Sequence, residues 1–264
     1  NDKNIKLPLT SSFLEVTFKM KNLSQEEIHS IPATMDQEEV AQIFRRENIL
    51  SAAVVDNESR MIGVITIDDV VDVIDEEAQE DLLKLAGVDQ GSIYHDVFST
   101  SFSRFRWLFI NLVTAILASV VIAFFEATIQ QIVALAVLMP IVASMGGNAG
   151  TQALTVAVRA LAMRDVSNAN AFRVVWKETL VGTLNGITFA LIMGVIATFW
   201  FGNSKLGIII AVAMVVNMFI AGLFGAGVPI FLNRIGSDPA VSSTVILTTM
   251  TDIIGFFVFL GLAT

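Results

Sequence analysis

From Arg104 onward, apolar runs alternate with short polar breaks and predict five helices, near Phe105 to Ala127, Ile129 to Met163, Val174 to Phe201, Leu206 to Asn233 and Pro239 to Thr264. Each run can cross a bilayer, because about 20 residues at roughly 1.5 Å of rise match a hydrocarbon core of about 30 Å. Before Arg104 the pattern is different. Gln37 to Arg46 reads as a helix, Ala52 to Val55 as an apolar strand, Asp56-Asn57-Glu58 as a turn, Met61 to Ile65 as a second strand, and a second helix runs from Asp68. Such an α/β unit is too small to bury much core alone and is expected to pair with a second copy or another subunit. In the second helix Ile67, Val71, Ile74, Ala78, Leu82 and Leu85 recur at helical spacing as an apolar stripe. The same helix carries Asp68, Asp69, Asp72, Asp75, Glu76, Glu77, Glu80 and Asp81 before its first basic residue, Lys84.

Composition agrees with a chain divided between water and membrane: 54% of residues are hydrophobic and the mean hydropathy is +0.70. Charge divides at the same place. Up to Ser103 there are 8 Lys and Arg against 20 Asp and Glu; from Arg104 onward there are 8 against 5. The acidic half excludes nucleic acid, whose phosphates need basic surface, and suits cations. The chain has no cysteine, which removes disulfides and thiolate metal sites. Arg104 and Arg106 precede the first span, Arg159, Arg164, Arg173 and Lys177 surround the second break, and Arg234 marks the fourth. The first break has no Lys or Arg, and the third has only Lys205. By the positive-inside rule the amino-terminal domain is expected in the cytoplasm and the carboxyl terminus outside. Beginning at Asn1 with no signal-peptide pattern, the sequence is expected to be a piece of a longer chain.

Chemistry concentrates in two spans. Asp252 is the one charged residue between Ala240 and Thr264, near mid-membrane, where a carboxylate costs roughly 2.5 to 3.5 kcal/mol and marks a functional site by default. A protonated Asp bonding a neighbouring helix is the plain alternative. Thr244, Thr248 and Asp252 repeat every four residues and share a helix face that could line a pore, although Thr hydroxyls in membrane helices more often bond their own backbone. Asp238-Pro239 reads as a helix start, favoured over an ion-binding role for Asp238. In the second span Pro140, Gly146, Gly147 and Gly150 are expected to interrupt the helix and free carbonyls for a water-filled path, with Asn148, Thr151 and Gln152 adding oxygens. Close helix packing through Gly146 and Gly150 explains the same spacing. Asn111, Asn185 and Asn217 read as bonds between helices, with Glu178 near the end of the third span. His29 and His95 read as solvent-facing. No nucleophile–base pair, phosphate-cradling loop or cofactor fingerprint occurs, so enzyme chemistry has little support.

Two resemblances follow. Ser51-Ala52-Ala53-Val54-Val55-Asp56 and Ile62-Gly63-Val64-Ile65-Thr66-Ile67-Asp68-Asp69, in this order of elements, resemble a CBS domain; such domains usually occur in pairs and can bind adenine nucleotides, ATP among them. Pro140 through Gln152 with Arg159, Asp238-Pro239-Ala240 with Asp252 fourteen residues after Asp238, and the CBS-like unit leading through an acidic helix into five spans resemble the MgtE family of magnesium channels. The expected fold class is a mainly α membrane protein: five transmembrane helices over 104–264, preceded by an α/β CBS-type cytoplasmic domain over 31–74 and an acidic connecting helix and linker over 75–103. Residues 1–30 carry no assigned element, a remnant of a first CBS unit being one reading of them. The resemblance implies a homodimer in the inner or plasma membrane, in contact with lipid, with a central pore importing Mg²⁺. Asp252 is then the principal carboxylate, with Asn148, Gly147, Thr248 and Thr244 beside it, and Thr244 stands where other members can carry Asn. It further implies that cytosolic Mg²⁺ held by Asp69, Asp72, Glu77, Glu80 and Asp81 keeps the pore shut. A proton- or sodium-coupled divalent cation carrier and a non-conducting sensor of metal or nucleotide are the competing readings.

Overall fold

The computed structural model describes residues 30–88, 96–167 and 169–264, apart from the side chains of Val241 and Ser242. His29, His95 and residues 1–29, with the expected CBS remnant, lie outside the described residues. Two compact units divide the chain, residues 1–79 and 80–264.

The described part of the first unit holds strands β1 (Ser30–Pro32), β2 (Ser51–Val55) and β3 (Met61–Thr66), helix α1 (Gln37–Glu47) and most of α2 (Ile67–Leu85). β1 pairs parallel to β2, with Ser30 opposite Ala53, and β2 pairs antiparallel to β3, with Ala53 opposite Val64. β1 escapes the sequence pattern because three residues ending in proline are too few to show alternation. Asp36 starts α1 by accepting the Glu38 amide at 2.9 Å, and Asn48 ends it in the left-handed conformation, φ 54°. Val40, Ala41 and Phe44 of α1 pack on Ile31, Ala52 and Val70 to form the small core. Met61, Ile62 and Val64 of β3 stay exposed, as do Val71 and Ile74 of α2. That apolar surface agrees with a unit that does not complete its core alone.

The second unit holds α3 (Val97–Ala123), the short α4 (Glu126–Gln131), α5 (Ala134–Ala162), α6 (Ala171–Phe201), α7 (Ser204–Arg234) and α8 (Pro239–Gly261). Five of these are long and apolar enough to cross a membrane. The protein is therefore mostly helical, with five candidate transmembrane helices behind a small α/β region. α7 lies at the centre, packed on α5, α6 and α8, while α3 packs against α8. Leu135, Leu138 and Val142 of α5, Ile210 and Met214 of α7, and Phe259 and Leu260 of α8 form the main core. Apolar side chains have no preference for one another over lipid tails, so close backbone approach and dispersion must hold these helices together. Glycine makes that approach possible: a Cβ on Gly222 would stand 2.5 Å from the Glu178 carbonyl oxygen, and one on Gly225 2.6 Å from that of Gly150.

Three expectations are corrected. The first span begins at Val97 rather than Phe105, because Asp96 accepts the Phe98 amide at 3.4 Å and starts the helix earlier. Ile129 to Met163 is not one helix, since α4 ends at Gln131 and α5 begins at Ala134. α5 then runs unbroken through Pro140 and the three glycines, so the expected interruption is absent. The reason is packing: Gly150 faces Leu247 of α8, where a Cβ would be 2.7 Å from the leucine methyl, and Gly146 faces Asn217 of α7. Gly146 and Gly150 bring helices together without unwinding one, while Gly147 faces open space.

Replacing Gly222 by Val drives a side chain into a backbone carbonyl that cannot yield, and is expected to abolish the monodisperse peak in fluorescence-detected size-exclusion chromatography. Gly227→Ala, whose new methyl group meets nothing nearer than Val175 at 4.0 Å, is expected to leave that peak intact.

Candidate functional site

Asp238 caps α8. Its Oδ1 accepts the Ala240 amide at 2.9 Å and Pro239 takes the first helical turn, where a missing N–H is harmless. Four turns on, Asp252 is half-buried, and its carboxylate has no hydrogen bond or ion pair among the described residues. The hydroxyls on the same face have partners. Thr248 donates to the Thr244 and Val245 carbonyls at 3.0 and 3.2 Å, the common habit of threonine in a helix, while Thr244 donates to the Leu85 carbonyl at 3.1 Å.

α5 packs directly on α8 and has two characters. One face, from Leu135 through Val142, Gly146, Gly150 and Leu154 to Val158, is buried. The other carries Ser144, Asn148, Thr151, Gln152 and Thr155 at helical spacing, all exposed. Asn148 reaches Ser144 Oγ at 3.5 Å, a weak contact that leaves its amide available. The Gly147 carbonyl accepts the Thr151 hydroxyl at 2.8 Å. Between them the two packed helices carry one carboxylate, an amide and several hydroxyl and carbonyl oxygens, which is chemistry for a hard, hydrated cation. Asn217 is buried and bonds α7 to α5; Asn111 is half-buried and Asn185 exposed.

At the end of α8 that bears Asp238, the last turn of α2 is fastened down. Lys84 Nζ lies 2.8 Å from Asp238 Oδ2 and 2.5 Å from Glu80 Oε1. Burial works against its charge, but Asp238 and Glu80 outweigh it and hold the lysine above its ordinary pKa. Leu85 packs against Leu154, Val158, Ala240 and Leu247. Sequence reasoning placed Asp238 as a cap but missed Lys84 as its partner; the isolated cation after eight acids was the available signal.

The acids of α2 are spread along the helix. Asp69 accepts the Thr66 hydroxyl at 2.6 Å and the Thr66 amide at 2.9 Å, closing the helix start, and these bonds hold its carboxyl below the usual range. Glu77 accepts from Gln37 at 2.7 Å, Glu80 pairs with Lys84, and Asp72 is exposed. Among the described residues no three His, Asp or Glu side chains converge as a metal site.

These features define a multi-pass membrane protein with a polar, carboxylate-bearing pair of spans and an attached α/β domain. Residues 139–262 match the family model MgtE, divalent cation transporter, and residues 20–76 match the CBS domain. The chain carries an MgtE family domain preceded by a CBS domain. It is 37% identical over 231 residues to a magnesium transporter MgtE of Thermus thermophilus, covering 86% of this chain and 51% of that protein. It is 33% identical over 242 residues to the Enterococcus faecalis protein of that name, covering 92% and 53%, and 31% identical over 247 residues to the Bacillus subtilis one, covering 93% and 55%. The chain thus spans about half the length of these curated relatives.

Lys84→Met is expected to loosen the end of α2 by about 0.5–1 kcal/mol, since both partners of the ion pair are partly open to solvent. With no native cysteine, a Leu85→Cys/Thr244→Cys pair reports this directly: disulfide formation slows severalfold when Lys84 is replaced. A raised lysine pKa means the contribution is complete below the ordinary lysine value and lost only as pH rises through the raised one. The difference between the unaltered protein and the Lys84→Met variant is therefore expected to stay flat from about pH 6 to about pH 9.

Proposed function

We propose that this chain is the regulatory and pore-forming part of a magnesium channel, a transporter rather than an enzyme, acting as a homodimer in the cell membrane. The observation that carries the reading is Asp252: a half-buried carboxylate within a membrane helix, with no protein partner among the described residues, on a helix packed against the polar-faced α5. A charge held there without a protein counter-ion needs a mobile one. Mg²⁺ dehydrates reluctantly and demands near-octahedral oxygens, so a path for it should use few carboxylates and several neutral oxygens and let the ion keep most of its water. Asp252 with Asn148, the Gly147 carbonyl and the Thr244 and Thr248 hydroxyls is such a set. The exposed polar stripe of α5 favours a second copy across a central axis, which would put two Asp252 charges opposite a doubly charged ion. The relatives' name, magnesium transporter, supports the choice of ion. Basic residues at the polar breaks favour a cytoplasmic α/β domain and an outward carboxyl terminus.

Regulation belongs to α2. Asp69, Asp72, Glu77, Glu80 and Asp81 offer oxygen donors without imidazole or thiolate, the right chemistry for Mg²⁺, but lie along one helix, so the ion would bridge them to acids of another surface. When cytosolic Mg²⁺ is abundant, that bridging relieves repulsion among the acids and favours the arrangement in which Leu85 bonds Thr244 and Lys84 holds Asp238, closing the path. In the α/β unit a cleft of about 170 Å³ between Ile31, Met35, Val40, Ile65 and Val70 is where an adenine ring of ATP would fit.

In proteoliposomes Asp252→Ala is expected to cut Mg²⁺ flux by at least about a hundredfold, the scale of losing a buried charge pairing, while leaving size-exclusion behaviour unchanged; normal flux refutes the assignment. Glu77→Gln, Glu80→Gln and Asp81→Asn together are expected to let the channel conduct at internal Mg²⁺ that closes the unaltered protein, and to remove Mg²⁺-dependent protection of the α/β unit from protease. Single-channel currents exceeding any turnover cycle separate a channel from a coupled carrier.

A further inference from the structure

Asn217 lies at the centre of α7 and is 1% exposed. Its Nδ2 donates to the Val142 carbonyl of α5 at 2.8 Å, one turn before Gly146. Its Oδ1 has no partner among the described residues. The amide fills a notch cut by two glycines. A Cβ on Gly146 of α5 would collide with it, and a Cβ on Gly255 of α8 would stand 2.9 Å from Nδ2 and 3.0 Å from Oδ1. Gly146 immediately precedes Gly147 and Asn148, and Gly255 lies one turn after Asp252. One side chain thus joins the turn that leads into the oxygen donors of α5 to the turn that follows the carboxylate of α8.

A membrane core gains nothing from a half-satisfied amide. An unpartnered buried oxygen is destabilising, and an alanine or leucine with an ordinary apolar neighbour would leave none. Holding two helices together needs only small residues, which this bundle has elsewhere. A directional bond adds registration: Nδ2 has one acceptor, and the flat amide fits only while Gly146 and Gly255 both present their bare backbone to it.

We propose that Asn217 is a positioning residue for the ion path, fixing the rotation and height of α5 against α8 and so the separation of Asn148 and the Gly147 carbonyl from Asp252. This rests on the assignment of Asp252 to that path. Selectivity among divalent cations that keep most of their water depends on how the path's oxygens are spaced around the hydrated ion, because Mg²⁺ gives up its water reluctantly and the path must fit the shell it retains. Asn217 touches no ion and acts through the two helices it spaces.

The test uses the full chain in proteoliposomes, with Mg²⁺ and Co²⁺ flux measured at equal amounts of monodisperse protein for Asn217→Ala, Asn217→Ser, Gly255→Ala, the double variant Asn217→Ala/Gly255→Ala, and Asp252→Asn. Gly255→Ala, which leaves Asn217 in place but pushes it aside, is expected to change half-saturating Mg²⁺ and the Mg²⁺/Co²⁺ flux ratio roughly three- to tenfold, the size of one buried hydrogen bond. Asn217→Ala is expected to shift the same two quantities, Asn217→Ser to recover part of the loss, and the double variant to fall short of the summed effects because the methyl then has room. Unchanged half-saturation and flux ratio in Gly255→Ala and Asn217→Ala, with Asp252→Asn inactive, overturn this proposal alone. Normal flux in Asp252→Asn overturns the ion-path assignment and this proposal with it. Loss of monodisperse protein in all the Asn217 and Gly255 variants makes the residue purely structural and also overturns it.

Discussion

A carboxylate inside a hydrocarbon slab has to be compensated, by a proton, a protein cation or an ion that comes and goes, and Asp252 has no protein cation among the described residues. Much of the surrounding structure answers to that constraint. The basic residues of this half are expected outside the apolar core, at the polar breaks. The hydroxyls beside Asp252 mostly donate to their own helix or to Leu85, which fixes where their oxygens stand while leaving lone pairs for a cation, and Asp252 is the one carboxylate among them. This economy suits a cation that keeps its water, for which a crowded carboxylate cage would be a trap.

Small residues make the arrangement mechanically possible. α7 touches α5 and α6 through backbone, at Gly225 and Gly222, because no hydrophobic drive holds apolar helices together in lipid and dispersion falls steeply with distance. Such contacts are rigid, since a backbone carbonyl cannot rotate away as a side chain can. A rigid frame around α5 and α8 is what a path needs if donor spacing is to decide which ion passes. Asn217 brings direction to contacts that are otherwise only close.

The end of α2 is held differently. One lysine between two carboxylates, one threonine hydroxyl on a carbonyl and one leucine in a small apolar cluster fasten Leu85 and its neighbours to the start of α8. Each is weak singly and partly open to water, so the contact can be reversed at modest cost. In the gating proposed above, repulsion among the eight acids on the same helix would control this contact, a bound divalent ion relieving it and its departure restoring it.

The five long apolar helices, their order and the capping role of Asp238 were legible along the chain, because these depend on spacing along one strand of polymer and on a side chain meeting its own backbone; the short α4 and the division at residues 79 and 80 were not. The glycine-rich stretch of α5 was legible as chemistry and misleading as geometry: glycine spacing is the same whether a helix unwinds or packs closely, and only Leu247 and Asn217 arriving from other helices show that it packs. Lys84 on Asp238 and Asn217 on Val142 join residues far apart in sequence: a lone cation after eight acids and an amide in an apolar span announce that a bond is made, but not with what. Residue order alone shows which side chains have to leave water and which oxygens a cation could use. Tertiary structure alone decided which of those oxygens are already taken and which two helices a single amide holds in register, because hydrogen-bond partnership depends on separations of a few ångströms between segments whose relative placement no one-dimensional pattern encodes.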